Sequence, residues 1–287
     1  MLKLVATPIG NLGDITLRAL DALREADVIY AEDTRHTLQL LNHFSVKKPL
    51  VSCHAHNERE RAAEIVPLLR EGKEIVYVSD AGMPGISDPG AALVAACVEN
   101  GLPYTVLPGA SAVLTAAVHS GLPCAAFSFF GFLPRDGKQR REAIAAIGAS
   151  GHLALVYESP YRVADTFRDL YHALGDRPAA LLRELTKKFE TAHRGTLSSL
   201  AERFGAEPPR GECVIAVLCE RSGNADGEAS EDALDELLSA LLAEGTSVKD
   251  AARQAAERTG RSKKSAYARA LALQSAMDSD HHEEENQ

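Results

Sequence analysis

The residues with the most chemical potential in this chain stand at the ends of short apolar runs. Ser79 to Gly90 reads Ser-Asp-Ala-Gly-Met-Pro-Gly-Ile-Ser-Asp-Pro-Gly, with three glycines and two prolines in twelve positions. Such a turn leaves its main chain bare, so a ligand can approach the backbone closely. Asp80 opens it, where a carboxylate can accept from a ribose hydroxyl or an ammonium. A second polar run, Glu32-Asp33-Thr34-Arg35-His36, ends another apolar segment, and Asp33 or Thr34 there also suits a helix cap. His54 and His56 lie two apart and share a face in extended chain, the spacing of a metal-ligand pair. No Cys or His nearby completes a set, so solvated histidines or substrate contacts are the competing reading, and no metal site is assigned.

The elements that must position these groups follow from hydrophobic periodicity. Strands are predicted at 2–6, 27–31, 49–52, 75–78 and 103–107, alternating with helices, and a Gly-Ala-Ser turn after Pro108 delivers a helix capped near Ser111. A second alternation follows: strands at 127–131, 153–157, 179–183 and 212–218, with helices over 135–147, 161–174 and 198–204 between them. The expected fold class is therefore α/β, as two tandem α/β domains with a cleft between them and a small helical C-terminal module. The loop after the first strand, Thr7-Pro8-Ile9-Gly10-Asn11-Leu12-Gly13-Asp14, matches neither a dinucleotide fingerprint nor a P-loop.

Length and charge divide the chain further. The 287 residues allow more than one core, and the expected division is 1–120, 121–222, an acidic linker over 223–230, a helical module over 231–277 and an acidic, disordered tail over 278–287. The net charge of -9 argues against a generic nucleic-acid binder but is unevenly spread. Residues 222–248 carry seven acids and no base, whereas 249–277 carry seven bases against two acids. Two short helices joined by Thr259-Gly260-Arg261, the second rich in Lys and Arg, have the pattern of a helix-turn-helix that meets nucleic acid. Five cysteines at irregular spacings form neither a disulfide frame nor a zinc site. The start reads as a strand rather than a signal peptide and no apolar run spans a bilayer, which gives the expectation of a cytoplasmic protein without membrane contact.

Taken together, the Thr7–Asp14 loop, Ala31-Glu32-Asp33-Thr34-Arg35-His36-Thr37, Ser79-Asp80-Ala81-Gly82-Met83-Pro84 and Asp88-Pro89-Gly90 resemble the tetrapyrrole methylase superfamily. Leu107-Pro108-Gly109, Gly131-Phe132-Leu133-Pro134, Tyr157-Glu158-Ser159 and Arg183-Glu184-Leu185-Thr186-Lys187 extend the match. Thr7-Pro8-Ile9-Gly10 departs from the Gly-x-Gly-Pro-Gly-Asp of tetrapyrrole enzymes and favours the branch of ribosomal RNA small-subunit methyltransferases. The resemblance implies S-adenosyl-L-methionine as methyl donor, a homodimer, and as substrate the ribose 2′-hydroxyl of a cytidine in the decoding region of 16S ribosomal RNA, within the small ribosomal subunit.

By position, the resemblance implies cofactor contacts at Ile9, Asp80, Ala81, Gly82, Gly85, Ser111, Ala112, Glu158 and Leu185. It points to Asp33 and Glu32 as base or orienter, Arg35 for the RNA backbone, and His54 or His56 as proton or ribose contacts. Glu184 and Lys187 are further candidates on the same cleft. Basic residues expected on RNA are Arg135, Lys138, Arg140 and Arg141 in the second domain, with Lys249, Arg253, Arg261, Lys263 and Lys264 in the module; a solvated helix face is the competing reading for the first cluster. Two other functions fit parts of the pattern: a methyltransferase of a tetrapyrrole or another small substrate, and a non-catalytic, ligand-sensing nucleic-acid-binding protein.

Overall fold

In the computed structural model, which describes residues 1–219, 231–243, 246–259 and 261–284, the chain divides into two units, Met1–Cys219 and Glu220–Gln287. The first unit begins with β1 (Leu2–Val5), β2 (Val28–Ala31), β3 (Leu50–Ser52), β4 (Ile75–Val78) and β5 (Tyr104–Leu107), all parallel in the order β3-β2-β4-β1-β5. The period of two along β4 explains why the sheet lies inside. Val76 and Val78 join a core beneath α1 (Leu17–Glu25) and α2 (Thr34–His43), while Ile75 and Tyr77 join another beneath α3 (Glu58–Arg70) and α4 (Ala91–Glu99). With both faces covered, the strand reads as a continuous apolar run.

The carboxyl ends of β1 and β4 are tied together. Thr7 and Gly82 exchange both backbone hydrogen bonds, each 3.0 Å, so the loops after these neighbouring strands form one surface. Ligands of open α/β sheets gather at that edge.

The second sheet holds β6 (Phe127–Phe132), β7 (Leu153–Glu158), β8 (Pro178–Arg183), β9 (Thr191–Thr196) and β10 (Cys213–Leu218), ordered β6-β7-β10-β8-β9. Only β6 and β7 pair in parallel; β7–β10, β10–β8 and β8–β9 are antiparallel. One face is covered by α6 (Gly137–Ala149), α7 (Val163–Leu174) and α8 (Leu197–Ala206). The other packs on α5 (Ala112–His119): Val113, Ala116 and Ala117 share a core with Leu153, Ala180 and Val214. The position near 120 expected as a boundary falls between α5 and β6, yet this shared core joins the two sheets, and 1–219 is a single unit.

The sequence reading lacked β9. Thr-Ala-His-Arg-Gly-Thr has no apolar alternation because it is an edge strand with largely half-buried side chains, held by its ladder to β8.

The second unit contains α9 (Glu231–Ala243), α10 (Val248–Thr259) and α11 (Lys263–Glu284). Leu234, Leu238 and Leu241 of α9 meet Ala251 and Ala255 of α10 and Ala266 and Ala270 of α11 in its core. The expected linker 223–230 lies outside the described residues. α11 continues into the acidic stretch expected to be disordered, since neither Gly nor Pro interrupts 262–284, and 285–287 lie outside the described residues. No helix among the described residues is long and apolar enough to cross a membrane.

Candidate active site

Three turns build the site. The first follows β4, where Gly82 and Gly90 adopt φ of 79° and 137°, regions that a side chain at Cβ disfavours. Glu58, from the first turn of α3, accepts from the amides of Gly90 (2.6 Å) and Ala92 (2.8 Å), so a carboxylate from a separate helix caps α4 and pins the turn. The second follows β5, where Ser111 Oγ accepts from Leu114 N–H and starts α5. The third follows β8, where Glu184 and Thr186 hold φ of 53° and 64° on either side of Leu185.

Around these turns lies a cavity of about 370 Å³. Eight of the nine expected cofactor contacts line it: Ile9, Asp80, Ala81, Gly82, Ser111, Ala112, Glu158 and Leu185. Gly85 does not; its N–H donates to Pro89 O (3.0 Å) and closes the turn. The wall combines small and apolar residues with four carboxylates, Asp80, Asp88, Glu158 and Glu212, and with Phe132 and Tyr157, whose ring centroids are 5.5 Å apart. A Cβ added at Gly82 would meet Ile9 Cγ2 at 3.2 Å, so the bare backbone there is what leaves space. This donor set suits a ligand with a flat base, a ribose and cationic groups, which is the chemistry of S-adenosylmethionine.

Glu158 is the most enclosed of the four carboxylates, 3% exposed. Ser159 N–H donates to its Oε1 (2.8 Å) and Thr166 Oγ1 to its Oε2 (2.6 Å), with the Arg162 guanidinium 3.4 Å away. Buried charge is tolerated only with such partners.

At the rim, the ends of β2 and β4 lock reciprocally: Asp33 N–H donates to Asp80 Oδ1 (3.0 Å) and Asp80 N–H to Glu32 Oε2 (3.2 Å). Burial pushes the Glu32 carboxyl above its ordinary value, against the pull of the Asp80 amide. Asp33 differs. It caps α2, and Arg35 grips its carboxylate through Nε (3.1 Å) and Nη2 (2.6 Å), which holds the carboxyl far below the usual range. That grip argues against Asp33 as the base, because a carboxylate so stabilised is a weak proton acceptor. Neither Glu32 nor Asp33 lines the cavity.

His54 and His56 stand near this rim with ring centroids 5.9 Å apart. His54 Nδ1 is buried without a hydrogen-bond partner, while its backbone N–H donates to Asn57 Oδ1 (2.8 Å). Among the described residues no group of three or more His, Cys, Asp or Glu gathers as a metal site. Glu184 is a strap: its Oε1 accepts from Glu212 N–H (2.9 Å) and Lys187 Nζ (3.0 Å), which keeps its carboxyl below the ordinary range. That favours a structural role for Glu184 over one among the reacting groups, since its Oε1 joins the Leu185 turn to the start of β10.

Of the basic cluster, Arg135, Lys138 and Arg141 are exposed, but Arg140 is buried. Its guanidinium donates to Asp169 Oδ2 (2.8 Å), Pro134 O (3.0 Å) and Thr166 Oγ1 (3.0 Å), so the expected RNA contact at Arg140 is corrected to an internal one. In the second unit Lys249, Arg253, Lys263 and Lys264 border one surface hollow with Asp250 and Tyr267; Arg261 precedes α11 outside that border.

The sequence reading assigned no role to Asp88, Phe132, Tyr157 or Glu212. Asp88 shares the Gly/Pro turn with Asp80 and was in principle findable there. Glu212 abuts an ordinary apolar strand and carries no local signal.

Comparison with known proteins gives consistent likenesses. Residues 1–201 match the family described as Tetrapyrrole (Corrin/Porphyrin) Methylases, and residues 228–274 match the RsmI C-terminal HTH domain. The chain is 43% identical over 272 residues to the ribosomal RNA small subunit methyltransferase I of Halalkalibacterium halodurans, covering 93% of each. It is 41% identical to the Synechocystis sp. protein of the same name, covering 96% of this chain and 98% of that one. Among solved structures, diphthine synthase superposes with a TM-score of 0.59 at 17% identity, covering 76% of this chain and 89% of that one. The uroporphyrin-III C-methyl transferase of Thermus thermophilus, complexed with S-adenyl homocysteine, gives 0.55 at 21% identity, covering 75% and 96%. At those identities the two structures speak for the fold alone.

Proposed function

Because the chain belongs to the tetrapyrrole methylase family and aligns almost end to end with ribosomal RNA small subunit methyltransferase I proteins, we propose that it is an S-adenosylmethionine-dependent methyltransferase of 16S ribosomal RNA. Its acceptor is the ribose 2′-hydroxyl of a cytidine in the decoding region, presented in the small ribosomal subunit in the cytoplasm. The observation that carries this reading is the near full-length likeness, helical module included, since a tetrapyrrole methylase has no evident use for a basic module.

Ile9, Ala81, Gly82, Ser111, Ala112 and Leu185 would hold the adenosine, with Asp80 and Glu158 facing its polar and cationic groups. When bound, S-adenosylmethionine supplies a methyl group activated by a sulfonium. The protein's own task is to hold the acceptor oxygen in line with that carbon, to exclude water and to take the hydroxyl proton. Glu32 orients the Asp80 turn through the Asp80 amide. Arg35, with its side chain 88% exposed, Arg135, Lys138, Arg141 and the basic border of the second unit supply phosphate contacts. His54 and His56 stand as ribose contacts at the rim. The strong negative charge elsewhere repels indiscriminate RNA, which favours a folded subunit as substrate.

A homodimer accords with the apolar surface of the first unit. Tyr104 and Val106 are exposed on the edge strand β5, and Leu114 and Val118 on α5.

The test is methyl incorporation from labelled S-adenosylmethionine into small subunits from cells lacking the enzyme, with nuclease mapping of the product. Label in one 2′-O-methylated cytidine is expected. Binding of S-adenosylmethionine without transfer to subunits or RNA would overturn the assignment.

A further inference from the structure

We propose that Asp88 is the general base that takes the proton of the acceptor hydroxyl. The inference rests on the ribosomal RNA reading above and assigns a residue within that same site.

Four carboxylates line the cavity, and three are already engaged. Asp80 Oδ1 accepts from Asp33 N–H, Glu158 accepts from Ser159 N–H and Thr166 Oγ1, and Glu212 Oε2 accepts from Lys187 Nζ (2.8 Å). Asp88 has no cationic partner among the described residues. It stands in the turn between Ser87, at φ of 64°, and Pro89, whose carbonyl takes the Gly85 N–H; Glu58 fixes the next residue but one through the Gly90 amide. The carboxyl is thus mounted on a rigid turn at the cavity wall, as a proton acceptor requires.

Its surroundings set its basicity. Burial, then the negative charges of Glu32 after β2 and Asp80 after β4, push the Asp88 carboxyl up to about 6. Tyr77 of β4 and Tyr157 of β7 lie close enough to feel its charge, and burial above all raises their hydroxyls so that they stay protonated. A carboxylate of this kind is ionised at neutral pH yet holds a proton better than an ordinary aspartate. Asp33, gripped by Arg35, has the opposite bias.

The balance of the step is simple. The hydroxyl O–H bond breaks and its proton goes to an Asp88 oxygen. The bonding pair stays on the ribose oxygen, which forms its new bond to the methyl carbon as the carbon–sulfur pair leaves with sulfur. Asp88 then releases its proton to water.

The experiment compares the full-length wild type with Asp88→Asn and Asp88→Glu on small subunits. For Asp88→Asn, kcat is expected to fall about 100-fold or more while the Kd for S-adenosylmethionine, measured by calorimetry, stays within about threefold. Wild-type kcat/KM is expected to rise with pH and to level off above about 6. That limb is expected to vanish in Asp88→Asn and to persist, shifted, in Asp88→Glu. Independently of activity, the carbon-13 carboxyl signal present in wild type and absent from Asp88→Asn should titrate near 6. An active Asp88→Asn with an unchanged pH limb, loss of cofactor binding in Asp88→Asn together with an inactive Asp88→Glu, or a carboxyl midpoint near an ordinary aspartate's would each overturn the assignment. Failure of wild type to methylate any subunit or RNA would instead sink the functional reading on which it rests.

Discussion

Thr166 Oγ1 donates to Glu158 Oε2 across 2.6 Å at a point where neither residue meets solvent. The same hydroxyl accepts from Arg140 Nη2 at 3.0 Å, so one threonine on α7 joins a cavity carboxylate to a buried guanidinium on α6. Thr166→Val keeps the shape and removes both bonds, leaving charged groups short of partners. Urea denaturation should register a loss of about 1–3 kcal/mol. Affinity for S-adenosylmethionine should weaken because Glu158 is no longer held, and Thr166→Ser should restore most of both.

Arg140 and its neighbours should separate cleanly. Arg140→Ala removes one member of a buried cluster and is expected to cost about 3 kcal/mol, at the low end for such groups because Asp169 still reaches water. Arg135→Ala and Arg141→Ala should stay within about 0.5 kcal/mol of wild type while lowering affinity for RNA and flattening its salt dependence. Denaturation curves beside binding titrations at several salt concentrations would check both halves.

Arg140 also marks where the sequence stopped being informative. Four bases within seven residues read as a surface cluster, and nothing local says that one of them turns inward to Asp169 on a helix 29 positions later. The inner strands β1, β2 and β4 of the first sheet were legible because their apolar runs are covered on both faces. β9 was not, because an edge strand draws its stability from the ladder rather than from an apolar pattern. The cavity wall from Ile9 to Leu185 was reached through motif resemblance, whereas Asp88 gains its character from burial and from Glu32 after β2 as well as from Asp80 in its own turn. The turn was legible locally, but burial and the approach of Glu32 have no signature in a local window.

The raised carboxyl of Asp88 carries a stability consequence of definite sign. The folded chain holds this proton more tightly than the unfolded chain, so the contribution is complete below the ordinary value of 3.8 and is lost as pH rises through about 6. Asp88→Asn removes the charge that becomes unfavourable. It should therefore be more stable than wild type near pH 8, by about 1 kcal/mol after allowance for solvent screening, and no more stable near pH 4. Paired urea midpoints at the two pH values give the difference directly.

Gly10 is a sensitive point of the first loop. A Cβ there would collide with Lys187 Cγ and lie 2.9 Å from Thr186 Oγ1 and 3.0 Å from Leu185 O, within the turn whose Glu184 and Thr186 already sit at positive φ. Gly10→Ala should push that turn away and displace Leu185 from the cavity wall. A fall in S-adenosylmethionine affinity of about tenfold is expected, equivalent to ~1.4 kcal/mol. Calorimetric titration reads it; Gly10 is not at positive φ, so the loss would report the collision rather than backbone strain.

Leu114 and Val118 lie one helical turn apart on α5 and are 55% and 75% exposed, while Val113, Ala116 and Ala117 on the opposite side are buried. Beside them in the chain, β5 leaves Tyr104 and Val106 uncovered on an open sheet edge. Covering such a surface in a dimer would remove apolar area from water. Leu114→Glu with Val118→Glu brings like charges across a two-fold contact while leaving the inward face of α5 unchanged. Light scattering after gel filtration should find the mass near that of a dimer for wild type and a monomer for the double variant. Circular dichroism should be the same for both. An unchanged dimer mass in the double variant would remove this face from the interface.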